Sequence, residues 1–245
     1  MSEAHADLQG RVVFVSGGGR GLGAAICKVL AAAGARLAVA DIRGQAAADV
    51  AHALATDGAL AWPIELDVTR PQDIERALAT LAAEAGGIDA LVNNAGIDVT
   101  CSIAALAVED WDRVLATNLS AAFYLCKGAL PHLRRSTAPH IVNIVSTAAR
   151  RAWPIASAYH ASKWGLLGLS HALHAELRPA GVKVTAVVAG GMRTPFLLDR
   201  FPDIPLENLQ DPSNVAHAVR FALTQPAGTV IPELMVLPMG ETSWP

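Results

Sequence analysis

Charged residues are few in this chain, and neither sign dominates. Lys, Arg, Asp and Glu make up 17% of the 245 residues, with 19 basic and 22 acidic side chains and a formal net charge of −3. A nucleic-acid-binding domain needs a basic patch for phosphates, whereas the basic residues here are scattered along the chain. The composition therefore predicts no nucleic-acid partner.

Cysteine and long apolar runs are also scarce. Cys27, Cys101 and Cys126 are odd in number and form no Cys-x-x-Cys pair, which predicts reduced thiols rather than disulfides or a zinc site. No apolar run approaches the ~20 residues that cross a bilayer. The first ten residues also lack the charged-then-apolar pattern of a secretion signal. We therefore expect a cytoplasmic protein with no membrane partner.

Apolar residues are abundant, at 52% of the chain, which is enough to cover both faces of a sheet. Short apolar runs alternate with alanine-rich stretches of helical length. The predicted strands are 11–16, 36–41, 59–66, 88–92, 140–146, 182–188 and 233–237, and the predicted helices are 21–33, 45–56, 71–85, about 108–135, 157–178 and 212–225. This order predicts a single domain over residues 1–245, with a doubly wound, Rossmann-type parallel sheet of about seven strands and helices on both faces.

Residues 190–211 fit neither period. They include Pro195, Pro202 and Pro205 among several large apolar residues. Proline is a poor fit to a strand or a helix interior, so this stretch is predicted to be a loop or lid segment.

Glycines crowd the turn between the first predicted strand and the first helix, in the sequence SGGGRGLG. Two spacings, Gly19-x-Gly21-x-x-Ala24 and Gly17-x-x-x-Gly21-x-Gly23, fit a turn that brings backbone N–H groups to a pyrophosphate. Asp41 ends the second predicted strand, twenty residues beyond Gly21, where a carboxylate binds a ribose hydroxyl. Together these features predict a dinucleotide site.

A second group of polar residues lies between positions 146 and 163. Tyr159 and Lys163 are four residues apart in a predicted helix, so their side chains share one face, and Ser146 ends a predicted strand. A phenol has a pKa of about 10, and a nearby ammonium lowers that value. We therefore expect Lys163 to lower the pKa of Tyr159.

In these motifs the chain resembles the short-chain dehydrogenase/reductase family, over nearly its whole length. The glycine motif is matched by Gly17, Gly21 and Gly23, the Asn-Asn-Ala-Gly motif by residues 93–96, the helix asparagine by Asn118, the serine by Ser146, and the Tyr-x-x-x-Lys pair by Tyr159 and Lys163.

The resemblance implies hydride transfer between a nicotinamide cofactor and a secondary alcohol or ketone, with Tyr159 exchanging a proton with the substrate oxygen. It implies that Ser146 hydrogen-bonds the same oxygen, that Lys163 binds the nicotinamide ribose, and that Asn118 holds a water linking Lys163 to solvent. The implied cofactor contacts are Gly17, Arg20, Gly21, Leu22, Asp41, Asp67, Val68, Asn94, Ala95, Gly96, Tyr159, Lys163, Met192 and Thr194.

Some positions depart from the family pattern. Ser16 stands where the family usually has threonine, and Ala189 and Gly190 stand where it usually has Pro-Gly. Residues 231–245 lack the Gly-Gly ending of many tetrameric members. Four large side chains are expected to line an apolar substrate pocket, namely Trp153, Met192, Phe196 and Leu197.

Cofactor choice follows from charges beside the glycine turn. Arg20 and Arg43 suit a 2′-phosphate, whereas the Asp41 carboxylate would repel it. Asp41 stands where the ribose must lie, so we expect NAD, with NADP as the alternative.

Three functions fit these observations. The expected one is an NAD-dependent oxidoreductase of secondary alcohols and ketones. The alternatives are an NADP-dependent carbonyl or 3-oxoacyl-thioester reductase and a non-catalytic dinucleotide sensor, against which the complete catalytic set argues. No metal is expected, because His171 and His174 lack a third ligand. The apolar composition predicts a homodimer or homotetramer.

Overall fold

A computed structural model describes residues 7–241, and in this range seven strands form one parallel sheet. The strands are β1 Val12–Ser16, β2 Arg36–Asp41, β3 Ala61–Glu65, β4 Ala90–Asn93, β5 His140–Ser146, β6 Lys183–Ala189 and β7 Glu233–Val236. Their order is β3-β2-β1-β4-β5-β6-β7. The strand ends lie within two residues of the predicted bounds, and the doubly wound α/β fold is confirmed.

The helices cover both faces of this sheet. They are α1 Gly21–Ala32, α2 Gly44–Thr56, α3 Pro71–Ala85, α4 Val108–Leu115, α5 Ala121–Leu133, α6 Ser157–Leu177, α7 Pro195–Leu198 and α8 Pro212–Leu223. None of the helices within residues 7–241 is long and apolar enough to cross a membrane. Residues 1–6, where no secretion signal is predicted, and residues 242–245 of the carboxyl ending lie outside the described residues.

The core lies on both sides of the sheet because successive strand residues point to opposite faces. In β1, Val13 and Val15 pack in one buried cluster with Ile26 of α1. Val12 and Phe14 pack in a second cluster, which includes side chains of α3 and α5. Every residue of β1 is therefore buried, as expected for a parallel strand covered by helices on both faces.

The sheet places its ligand crevice between β1 and β4. From β1 the chain continues outward to β2 and β3 on one side, and then returns to form β4 on the other side. In such sheets the connections leave β1 and β4 in opposite directions, which opens a crevice at their carboxyl ends. Ser16 ends β1 and Asn93 ends β4, so the glycine turn and the Asn-Asn-Ala-Gly turn meet at this crevice.

The region predicted as one helix over about 108–135 is divided in the structure. A five-residue π-helical segment, Ala116–Ser120, joins α4 to α5, and Asn118 lies at its centre. The wider turn places one extra residue in the helix, which a pattern of apolar residues does not reveal. Side-chain hydrogen bonds from Asn118 to a neighbouring loop stabilise this conformation.

Residues 190–211, called the lid segment below, contain α7 and the 3₁₀ turn Leu206–Asn208. Met192 and Gln210 form an isolated β-bridge, which closes the lid segment at its base. The amide of Gln210 donates to the carbonyl oxygen of Val236 at 3.1 Å. The lid segment is thus tied to β7, at the carboxyl edge of the sheet.

Candidate active site

The glycine turn between β1 and α1 needs its glycines for two separate reasons. Gly17 and Gly21 have φ angles of +64° and +54°, in the left-handed region that favours glycine. A Cβ on Gly23 would lie 2.0 Å from the carbonyl oxygen of Gly17, so α1 approaches the turn as closely as only glycine permits. The turn therefore has one compact shape.

Ser16 ties this turn to the Asn-Asn-Ala-Gly turn. Its Oγ accepts hydrogen bonds from the backbone N–H groups of Asn94, at 3.1 Å, and Ala95, at 3.2 Å. The Asn94 amide in turn donates to the carbonyl oxygens of Ser16 and Gly17, both at 3.0 Å. A hydroxyl is the group needed at position 16, and serine supplies it as threonine would.

Asp41 lies directly beside the glycine turn and is 6% exposed. Its Oδ2 accepts from the backbone N–H of Gly19 at 3.0 Å, and its Oδ1 accepts from the backbone N–H of Arg43 at 3.0 Å. The Arg43 Nε lies 3.3 Å from the same Oδ1. Arg20 is also paired, at 3.6 Å, with Asp199 of the lid segment. Both arginines that suit a 2′-phosphate therefore face carboxylates.

The residues around the turn fit a dinucleotide. No side chain caps the first turn of α1 and no acidic residue lies in it, so its N–H groups can bind a pyrophosphate. Beyond Asp41, Asp67 follows β3, where the backbone and hydroxyl of Thr69 donate to its Oδ1 at 2.9 and 2.6 Å. Val68 beside it is buried.

The crevice is also bounded by the lid segment and the Asn-Asn-Ala-Gly turn. A Cβ on Gly21 would lie 3.5 Å from the Cβ of the buried Thr194, which follows Met192 in the lid segment. A Cβ on Gly96 would lie 3.8 Å from the Lys163 Nζ. Residues predicted from three distant parts of the chain thus lie around one crevice.

Ser146, Tyr159 and Lys163 meet at the carboxyl end of β5. Ser146 is the last residue of β5 and lies close enough to the Tyr159 hydroxyl to lower its pKa, while Tyr159 and Lys163 lie on the first two turns of α6. The Lys163 Nζ donates to the carbonyl oxygen of Ile144 at 2.9 Å and lies 5.7 Å from the centre of the Tyr159 ring. The predicted convergence of these three side chains is present.

The pKa values in this group differ from the expectation. Burial raises the pKa of Tyr159 to about 12, although the hydrogen bond with Ser146 opposes the rise. Lys163 is not among the groups that shift it, and burial lowers the pKa of Lys163 itself to about 8. The sequence indicated a neighbouring ammonium, but it did not indicate that burial would remove water from the phenol. Burial has the largest effect on the pKa of Tyr159. The Tyr159 phenol is therefore protonated at neutral pH.

Asn118 is fixed in place by both ends of its side chain. Its Oδ1 accepts from the backbone N–H of Ile97 at 2.8 Å, and its Nδ2 donates to the Ile97 carbonyl oxygen at 2.8 Å and to the Ser162 hydroxyl at 2.9 Å. Ser162 precedes Lys163 on α6. The asparagine therefore joins the π-helical segment to α6 and to the loop after β4.

Comparison with known proteins decides the family. The profile described as short chain dehydrogenase matches residues 11–204, which include the glycine turn and the Ser146, Tyr159 and Lys163 group. The chain belongs to the short-chain dehydrogenase family. It is therefore an NAD(P)-dependent oxidoreductase that acts on CH–OH or carbonyl groups.

Three relatives illustrate the range of this short-chain dehydrogenase family. The chain is 34% identical to D-beta-hydroxybutyrate dehydrogenase of Rhizobium meliloti over 79% of this chain and 76% of the relative. It is 31% identical to 3beta-hydroxysteroid dehydrogenase 1 of Eggerthella lenta over 98% and 96%. An alcohol dehydrogenase from Thermococcus sibiricus, solved with 5-hydroxy-NADP, superposes with a TM-score of 0.87 at 26% identity, covering 94% of this chain and 97% of that one.

Three further residues of this short-chain dehydrogenase lie beside Tyr159, and the sequence motifs assigned a role to none of them. Phe196 of the lid segment packs against Tyr159, with ring centres 5.9 Å apart. Arg200 stacks on Phe196 and pairs with Asp98, which follows the Asn-Asn-Ala-Gly turn. Phe196 was predicted as pocket lining, but Asp98 and Arg200 carry no motif. Only their opposite charges offered a signal, and 102 residues separate them.

His160 and His171 have local partners, whereas the buried Nδ1 of His174 has no hydrogen-bond partner among the described residues. The Nδ1 of His160 lies 2.8 Å from the Ala148 carbonyl oxygen, its Nε2 accepts from the Trp153 N–H at 3.2 Å, and the two rings are 4.3 Å apart. Trp153, predicted as pocket lining, is thus held by the residue next to Tyr159. His171 lies 3.1 Å from Glu233. Within residues 7–241, no group of three His, Cys, Asp or Glu side chains has a metal-binding arrangement.

Proposed function

We propose that this short-chain dehydrogenase transfers a hydride between NAD(H) and a secondary alcohol or ketone, with Tyr159 as the proton donor and acceptor. The observation that carries the proposal is the grouping of Ser146, Tyr159 and Lys163 at the carboxyl end of β5, at the same edge of the sheet as the glycine turn. The nicotinamide, when bound, supplies or accepts the hydride.

The residues of the chain handle the proton. In ketone reduction the Tyr159 hydroxyl gives its proton to the carbonyl oxygen as the carbonyl carbon gains the hydride, and in alcohol oxidation both transfers run in reverse. Ser146 hydrogen-bonds the same oxygen and holds it near Tyr159. Lys163 would bind the nicotinamide ribose, and Asn118 fixes the loop after β4 and the helix α6 that carries Lys163.

A turnover assay tests the proposal directly. Secondary alcohols and ketones are screened with NAD(H) and NADP(H) while absorbance of the reduced nicotinamide is followed. Turnover with at least one pair is expected, and the relatives suggest hydroxy acids and hydroxysteroids among the alcohols to include. A protein that binds the dinucleotide but turns over none of these compounds would favour the sensor alternative.

The proposed preference for NAD rests on Asp41. Its nearly buried carboxylate lies beside the glycine turn, where a ribose hydroxyl can donate to it and a 2′-phosphate would meet a like charge. The NADP alternative rests on Arg20 and Arg43, which are exposed enough to turn from Asp199 and Asp41 toward a phosphate. We favour NAD because the carboxylate is fixed by two backbone N–H groups and the arginines are not.

Removing the charge at position 41 should shift the preference toward NADP. In Asp41→Asn, an acceptor for the Gly19 N–H remains but the repulsion is lost and Arg43 is released. We expect the ratio of kcat/KM for NADP to that for NAD to rise by about tenfold or more. Steady-state kinetics with both cofactors measures it.

Asp49→Asn is the matched control, because Asp49 is an exposed carboxylate on α2 that pairs with Gln45. Its cofactor ratio should equal that of the wild type. If the wild type already prefers NADP, the assignment of Asp41 is wrong.

We also propose a homodimer or homotetramer that functions in the cytoplasm. Helices α4, α5 and α6 each expose a large apolar side chain: Val108, 70% exposed, Phe123, 44%, and Trp164, 51%. Such residues on adjacent helices suit burial against a second copy. Light scattering at micromolar concentration should give the mass of a dimer or tetramer, and Trp164→Glu should lower that mass. A monomer in the wild type would contradict the proposal.

A further inference from the structure

An ion pair crosses the crevice above the catalytic group. The Arg200 Nη1 lies 2.7 Å from the Asp98 Oδ2, and the two side chains are 21% and 7% exposed. Asp98 follows the Asn-Asn-Ala-Gly turn, whereas Arg200 belongs to the lid segment. The pair therefore joins the lid segment to the loop after β4, and it is far less exposed than the neighbouring pair of Asp199 and Arg20.

This ion pair lies close to Tyr159. The guanidinium carbon of Arg200 is 4.1 Å from the centre of the Phe196 ring, which in turn packs against the Tyr159 ring. The charge of Asp98 raises the pKa of Tyr159 and that of Arg200 lowers it, after the larger effects of burial and Ser146. A substrate whose oxygen reaches Tyr159 must therefore pass or displace these side chains.

Each partner of the pair keeps one buried polar atom without a hydrogen bond to the described residues. These atoms are the Asp98 Oδ1 and the Arg200 Nε. The other Asp98 oxygen also accepts from the Thr100 hydroxyl at 3.3 Å. Buried polar atoms are normally hydrogen-bonded, so an acceptor and a donor with spare capacity beside a reaction centre indicate a polar ligand.

We propose that Asp98 and Arg200 determine specificity by selecting an uncharged substrate that carries a second hydroxyl on the carbon next to the reacting carbinol. This proposal rests on the proposed function. When such a substrate separates the pair, its hydroxyl donates to the Asp98 carboxylate and accepts from the Arg200 guanidinium. One neighbouring hydroxyl therefore gives both charged groups a hydrogen-bond partner.

Two other substrate classes fit this pair less well. A carboxylate would pair with Arg200 but would meet Asp98 as a like charge at contact distance. A purely apolar alcohol would separate two charges and give neither a hydrogen-bonding partner, which costs more than a lost contact. A pocket built to hydrogen-bond a hydroxyl rejects analogues that lack it.

The test compares three alcohols that share a four-carbon skeleton. They are 2,3-butanediol, 2-butanol and 3-hydroxybutyrate, each oxidised by the full-length enzyme with the preferred cofactor. We expect kcat/KM for 2,3-butanediol to exceed that for each of the others by about tenfold or more. The double variant Asp98→Leu/Arg200→Met removes both charges together and should reduce that advantage to less than about threefold.

Asp199→Asn is the matched control, because it removes the neighbouring exposed ion pair of the same lid segment. Its ratio between 2,3-butanediol and 2-butanol should equal that of the wild type. Equal turnover of these two alcohols, or a preference for 3-hydroxybutyrate, would overturn the specificity proposal while leaving the proposed function standing. Absence of turnover for all three, and for the wider screen above, would overturn both.

Discussion

The variant Tyr159→Phe is expected to lose turnover by about 10²- to 10⁴-fold while binding the dinucleotide almost as tightly as the wild type. Phenylalanine keeps the ring that packs against Phe196 but removes the hydroxyl beside Ser146. Without that hydroxyl the substrate oxygen loses its proposed proton donor. Steady-state kinetics and fluorescence titration of the dinucleotide measure the two properties separately.

Tyr124→Phe provides the control, since Tyr124 is the other tyrosine of the chain and lies on α5. Its ring packs beside Phe123, and its turnover should stay close to that of the wild type. Turnover of Tyr159→Phe within tenfold of the wild type would exclude Tyr159 as the proton donor.

The variant Gly23→Ala should lose dinucleotide binding. The added Cβ would lie 2.0 Å from the Gly17 carbonyl oxygen and 2.7 Å from the Asn94 amide nitrogen, and the first of these is backbone that cannot rotate away. The glycine turn must then shift from α1, which moves the N–H groups that bind the pyrophosphate. We expect the dissociation constant for NAD to rise by about 100-fold or more and thermal stability to fall.

Gly168→Ala is the matched control, because a Cβ on Gly168 of α6 would meet no atom within 4 Å. Alanine is the better helix former by about 0.8–1.0 kcal/mol, so this variant should bind NAD normally and melt at the same or a higher temperature. Circular dichroism separates loss of fold from loss of binding. A folded Gly23→Ala protein with normal NAD affinity would refute the role of this close approach.

Local sequence patterns were sufficient to predict the elements whose own side chains are buried in the core. The run Val12–Ser16 is apolar on both faces, and the chain can bury such a strand only in a covered parallel sheet. The glycine turn could also be predicted from the sequence, because few residues other than glycine tolerate the positive φ angles at Gly17 and Gly21 or the close contact at Gly23. Asp41 followed from its fixed distance beyond that turn.

Features that depend on residues far apart in the sequence could not be predicted from it. The π-helical segment at Asn118 is stabilised by hydrogen bonds to Ile97 and Ser162, residues that lie 21 and 44 positions away. The pKa of Tyr159 depends on how completely other elements bury the phenol, which no spacing between Tyr159 and Lys163 specifies. The prediction of a lowered pKa for Tyr159 took account of the Lys163 charge but not of the loss of water around the buried phenol.

The sequence by itself determined the parallel α/β sheet, the glycine turn and the grouping of Ser146, Tyr159 and Lys163, because each depends on residues close together in the chain. Only the tertiary structure decided what surrounds that group. The fold brings Arg200 of the lid segment to Asp98 near Tyr159. These residues are 102 positions apart, and no sequence motif around either one predicts their ion pair. Burial and long-range electrostatics are properties of the assembled crevice, so the sequence indicated the residue types of the candidate site and only the fold decided their surroundings.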